Sequence, residues 1–260
     1  RSFRSFVSKR GLVFVLSALV ESRSGWDDPL VLGLMVVGFV ALFVFQAWER
    51  RISEPMLDFS LFRRPDFVGA TVAALAAGGG VLSLVSFVPT LFERAMGVEA
   101  FDSALLILAW SATSIVTVFG VRWLPDKVSA RARLILGLLG VAVGQLALFA
   151  PDLDRSILWF LPGLLLAGIA NGVLNAALGY QAVTSVPEDR AAMGSGANNT
   201  ARYVGSSIGL AVVALLVTHG GELGGMDGVR AGWNSAVILT AAFSLFGAVV
   251  VFLCKLGPIR

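Results

Sequence analysis

Charge is the scarcest feature of this sequence. Only 14% of its 260 residues are Asp, Glu, Lys or Arg, against about 25% in ordinary soluble domains, so a soluble globular class is excluded. The one cysteine, Cys254, rules out a disulfide within the chain and leaves the redox compartment unread. The one histidine, His219, stands at the end of an apolar stretch, where an interfacial residue and a proton relay are both open readings. No Asp, Glu, Lys or His lies near the middle of any apolar run. Acid–base or nucleophilic chemistry at membrane depth therefore has no residues to use, and the chain is not read as an enzyme. No metal site or cofactor is assigned. The formal net charge of +3 does not point to nucleic acid, because in such a chain the distribution of charge matters more than its sum.

What is present is long and apolar. Residues 29–48, 67–92, 103–121, 134–151, 156–187, 203–221 and 231–254 are seven charge-free runs, 18 to 32 residues long, where an apolar helix needs roughly 17–25 to cross a bilayer. Continuous runs also exclude a β-barrel, whose strands show alternation over about ten residues. An eighth run, residues 11–20, has only ten and spans only if residues 3–10 join the same helix. Basic residues before a short apolar run also fit a signal peptide, but no small-x-small cleavage site precedes Trp26. The fold class that follows is all-α integral membrane, with about eight transmembrane helices in a lipid bilayer. With the N-terminus cytoplasmic, 16 of the 20 Lys and Arg fall on the inner side, leaving Arg23, Arg94, Arg155 and Arg230 outside. The positive-inside rule then predicts that both ends of the chain are cytoplasmic. Trp26, Trp48, Trp123, Trp159 and Trp233 fall near run ends, as expected of rings that favour the headgroup zone.

Polar residues inside the runs are the candidates for function, since intramembrane polar groups face the bundle or a wet cavity. Trp110, Thr113, Ser114 and Thr117 share one helical face by their offsets of about three, four and seven. Two readings stand: hydroxyls bonded back to their own helix, or a mildly polar wall for an amphipathic ligand, which the mid-run Trp110 favours. Asn171 and Asn175, four apart, are either interhelical glue or the lining of a transport pathway. Gln145 is read as packing. Gly140/Gly144, Gly168/Gly172 and Gly205/Gly209 are G-x-x-x-G pairs suited to close helix approach. Gly78–Gly80 in mid-run is expected to bend during a transport cycle. Arg202, at the entrance of the 203–221 run, is expected to snorkel to headgroups, avoiding the roughly 2.5–3.5 kcal/mol of a central position.

Several stretches taken together resemble the major facilitator superfamily, in particular its fourteen-helix drug:proton antiporter branch. They are "SGWDDPLVLGLMVVGFVALFVFQAWERRISEPMLDFSLFRRPDF" at 24–67, "SFVPTLFERAMGVEAFDSALLIL" at 86–108, "LPGLLLAGIANGVLNAAL" at 161–178 and "VPEDRAAMGSGANNTARYVGSSIGLAV" beginning at 186. The resemblance implies two linker transmembrane helices with a cytoplasmic segment in residues 1–65, and a C-terminal six-helix bundle in residues 66–260. It also implies that the N-terminal six-helix half, with its proton-coupling carboxylate, is missing from this chain, which would then be a fragment. The loop "GVRWLPDKVSARAR" is similar to the family's cytoplasmic acid-and-base loop through Asp126, Lys127 and Arg131, although Arg122 and Ser129 stand in place of glycines. A gate between the two halves and a plain solvated loop are both open for it.

The function implied is a portion of a proton-coupled exporter of drug-like or amphipathic small molecules in the cell membrane, working by alternating access. Substrate contact falls on Trp110, Thr113, Thr117, Asn171 and Asn175, and gating on Asp126, Lys127, Arg131 and Arg202. The partners implied are the bilayer, a small-molecule substrate and protons. The alternative is a truncated, non-transporting membrane interaction module.

Overall fold

A computed structural model of the chain describes residues 29–49, 58–121, 128–149 and 156–254. The expected first span, residues 11–20, lies outside them, as do Asp126 and Lys127. The chain divides into two compact units, Arg1–Phe59 and Ser60–Arg260. In the first, α1 (Pro29–Glu49) is apolar along nearly its whole length, as a helix bathed in lipid is.

The second unit is a helix bundle, with no strand among the described residues. It opens on a rod of three continuous pieces: α2 (Pro65–Ala76), a π-helical segment (Ala77–Leu82) and α3 (Ser83–Met96). Pro65 begins the rod where no helical N–H is needed, and Gly97, at φ 63°, ends it with a left-handed cap. Next come α4 (Ala100–Gly120), α5 (Ala130–Leu146), α6 (Leu161–Thr184) and α7 (Ala191–Leu253). Ser129 caps α5 by accepting from the Ala132 amide at 3.2 Å.

Among the described residues, five stretches are long and apolar enough to cross a membrane: Pro65–Glu93, Ala100–Gly120, Ile157–Thr184, Glu188–Gly221 and Gly224–Leu253. The last two are the arms of α7, which reverses at Gly224 and Gly225, the latter at φ 58°. The charged stretch 222–230, expected as an outer loop, is instead almost wholly helical. Glu222, Asp227 and Arg230 do not break a helix, and one left-handed glycine suffices to turn the chain.

Glycine sets how closely the helices approach. On α5, Gly137, Gly140 and Gly144 face Leu174, Ala170 and Ala167 of α6, so closely that an added Cβ would come within 2.8 Å of each neighbour. Gly209 of α7 would meet the Gly79 Cα at 2.8 Å, and Gly80 would meet the Thr240 carbonyl at 3.0 Å. The Gly78–Gly80 run is thus buried between the two arms of α7. Ser83 donates its hydroxyl to the carbonyls of Gly79 and Gly80, bonding back to its own turn as serines in apolar helices do. The core is graded. Alanines and mid-sized aliphatics such as Ala73, Ala77, Leu134 and Leu174 fill one end, while Phe92, Phe160 and Trp233 fill the other. The two phenylalanines meet edge to face at 4.7 Å.

Candidate functional site

The polar residues expected from the sequence converge on the α4–α6 and α6–α7 seams. Gly168 and Gly172 thin α6 where α4 crosses it, and a Cβ on Gly172 would lie 2.6 Å from that of Thr117. This close approach brings Ser114, buried at 8% exposure, within reach of Asn171, buried at 4%. The Asn171 amide donates to the Ser114 hydroxyl at 2.9 Å. One turn further along, the Asn175 amide donates to the Asn171 carbonyl at 2.9 Å, which leaves Asn175 Oδ1 directed outward. Arg202 Nη1 of α7 donates to that oxygen at 2.7 Å. Ser114, Asn171, Asn175 and Arg202 therefore form a hydrogen-bonded ladder across three helices.

Thr113 and Thr117 are half-buried in the same seam. Thr113 donates to the carbonyls of Ala109 and Trp110, both at 2.9 Å, and Thr117 to that of Thr113 at 2.7 Å. Their hydroxyls are thus satisfied within α4, with the Thr113 hydroxyl lying against Gly168 and the Thr117 methyl against Gly172 of α6. Trp110 is half-buried against both core clusters, and its indole N–H is buried without an acceptor among the described residues.

Of the residues expected to gate, Arg131 and Arg202 are described, and they bond to different partners. Arg131 donates from Nε to the Val251 carbonyl at 3.2 Å and from a terminal nitrogen to that of Phe252, and its guanidinium lies 5.3 Å from the Phe252 ring centre. It closes the C-terminal end of α7, where the last carbonyls lack helical donors. Arg202, expected at the helix entrance, is half-buried and bonds through Nη1 to Asn175 of α6.

Three polar features had a weaker signal in the sequence. Asn198 donates to the Ala70 carbonyl at 3.3 Å. Gln145, read as packing, accepts from the Ser244 hydroxyl at 3.1 Å. Trp233, expected among headgroups, is fully buried and donates from its indole nitrogen to the Leu148 carbonyl at 2.8 Å. The partners of each lie 85 to 128 residues away, so only the helical spacing of Asn198 could have hinted at its place.

Comparison with known proteins gives this geometry its context. The model of the Major Facilitator Superfamily matches residues 11–210. The "Multidrug resistance protein Stp" of Mycobacterium tuberculosis is 29% identical over 197 residues, covering 75% of this chain and 36% of that protein. The "Puromycin resistance protein pur8" of Streptomyces alboniger is 26% identical, over 93% of this chain and 51% of its own length. The "Multidrug transporter protein MdtP" of Bacillus subtilis is 24% identical, with coverage of 82% and 40%. The chain thus spans between about a third and half the length of these relatives.

Proposed function

The chain belongs to the Major Facilitator Superfamily, a family of multi-pass membrane transporters rather than enzymes, and from that premise we propose that it is the C-terminal portion of a proton-coupled exporter of drug-like, amphipathic molecules. The carrying observation is the ladder from Ser114 through Asn171 and Asn175 to Arg202. A bundle held together only by apolar packing has no need of an arginine inside it, whereas polar groups at this depth mark substrate and ion pathways. The names of the relatives supply the substrate class.

In this reading the protein lies in the cell membrane with both ends of the chain cytoplasmic, and belongs to the fourteen-helix branch. Residues 1–65 supply two linker helices and residues 66–260 a six-helix bundle. That bundle rocks against an N-terminal partner half around a midplane site. Trp110, Asn171 and Asn175 contact substrate, with Thr113 and Thr117 shaping the same wall. Asp126, Lys127, Arg131 and Arg202 bias the access state from the cytoplasmic side. The proton-coupling carboxylate comes from outside the apolar runs of this chain, which hold no Asp or Glu near their middles.

The test is efflux of a panel of lipophilic dyes from cells expressing the complete reading frame, with and without a proton gradient. Extrusion that collapses with the gradient is expected. Retention of every dye, cationic and neutral alike, would overturn the exporter reading.

A further inference from the structure

The ladder ends on a charge that no described residue neutralises. Ile157–Thr184 is a 28-residue apolar helix with Asn171 at its middle, so Asn175 lies about 6 Å beyond that midpoint. Arg202 reaches the same depth from the other side. It sits roughly 21 Å along α7 from Glu188 and roughly 28 Å from Gly221. A half-buried guanidinium is therefore held near mid-helix on two adjoining spans. Its one hydrogen bond among the described residues is to a neutral amide, and it forms no ion pair with any of them. A guanidinium has five N–H donors, so four are left. The Trp110 indole N–H, buried without an acceptor among the described residues, is likewise a donor with no accepting capacity. What the wall lacks is an acceptor with negative charge.

We propose that Arg202, held in place by Asn175, is a receptor for a carboxylate inside the bundle. The Asn175 amide is fixed by its own bond to the Asn171 carbonyl, so its oxygen can only accept from the guanidinium. This anchors one N–H and leaves the remaining fork preorganised for two parallel bonds to a carboxylate. The carboxylate belongs either to a transported amphipathic acid or to a side chain of the complete transporter outside these 260 residues. The inference rests on the transporter reading for its place in a pathway. Binding, however, is measured without transport.

The experiment uses the 260-residue chain in nanodiscs, titrated with pyrenebutyrate and with its uncharged methyl ester. Binding is followed by energy transfer from tryptophan to pyrene, with empty nanodiscs as the blank. The acid is expected to bind at least tenfold more tightly than the ester. Arg202→Gln should remove that preference, Arg202→Lys should keep a reduced one because an ammonium lacks the planar fork, and Asn175→Leu should weaken acid binding severalfold. Equal binding of acid and ester to the unaltered chain overturns the proposal, a result independent of how any variant folds. An undiminished preference in Arg202→Gln overturns it too. Repeating the titration on the product of the complete reading frame separates the two sources. A preference that persists assigns the site to the transported molecule, and one that disappears assigns it to a side-chain carboxylate already seated there. Acid binding without dye efflux would leave the receptor standing and remove the exporter reading; efflux without acid preference would do the reverse.

Discussion

Trp233 and Asn171 show how single side chains tie this bundle together. The indole of Trp233 is both the largest fully buried side chain and the donor to the Leu148 carbonyl at the end of α5. Trp233→Phe keeps most of the volume and leaves that carbonyl unpaired, so it should cost about 1–3 kcal/mol, whereas Trp233→Ala should cost about 3–5 kcal/mol. Both are readable as shifts in the midpoint of denaturant-induced unfolding in detergent. For the buried Asn171–Ser114 bond, a double-mutant cycle with Asn171→Leu and Ser114→Ala should give a coupling of about 0.6–1.7 kcal/mol; a value near zero would make the bond incidental. The residue types and spacing of this site were legible in the sequence, because amides and hydroxyls inside charge-free runs stand out by composition alone. Their partners were not. Nothing local tells an arginine at the mouth of one run that an asparagine 27 residues earlier offers a closer acceptor than the headgroups. Trp233 was misplaced for a related reason: the end of a run marks a depth, not whether lipid or protein surrounds the side chain.

At the scale of elements, glycine divides into two populations that spacing separates only in part. Gly205 and Gly209 lie against the backbone of the rod, while Gly196 and Gly179 have nothing within 4 Å of an added Cβ. Gly209→Val should therefore destabilise the bundle by about 1–3 kcal/mol through overpacking. Gly196→Ala, on the same helix, should leave it unchanged or stabilise it by up to about 1 kcal/mol. Thermal unfolding of the two variants side by side checks the contrast. The G-x-x-x-G pairs announced close approach correctly in character, since small residues four apart can only thin one face of a helix. The Gly78–Gly80 run carried a double meaning that sequence could not resolve. Its three glycines lie in a π-helical turn and also accommodate Ser206, Phe243 and Ser244 from both arms of α7. A triple alanine substitution there would disturb packing whether or not the segment bends.

For the whole molecule, apolar run length carried most of the fold, because lipid demands internally satisfied backbone and helices answer that demand within one segment. The reversal at Gly224–Gly225 escaped that logic, since charged residues looked like loop when they were the last and first turns of two helices. Sidedness is testable through the single thiol. With both ends cytoplasmic, Cys254, which is partly exposed, should react with a membrane-impermeant maleimide in inside-out vesicles and not in intact cells; the opposite pattern would invert the topology. The tightness of that reversal has a mechanical consequence. Gly220 and Gly228 meet backbone to backbone just below it, and Gly232 meets Leu216 and Val217 one turn further on. A slide of one arm past the other by a helical turn would have to break this close packing at the tip. Away from the tip the arms part around the Gly78–Gly80 turn, which touches Arg202 on one arm and Ser244 on the other and so links the two through the rod.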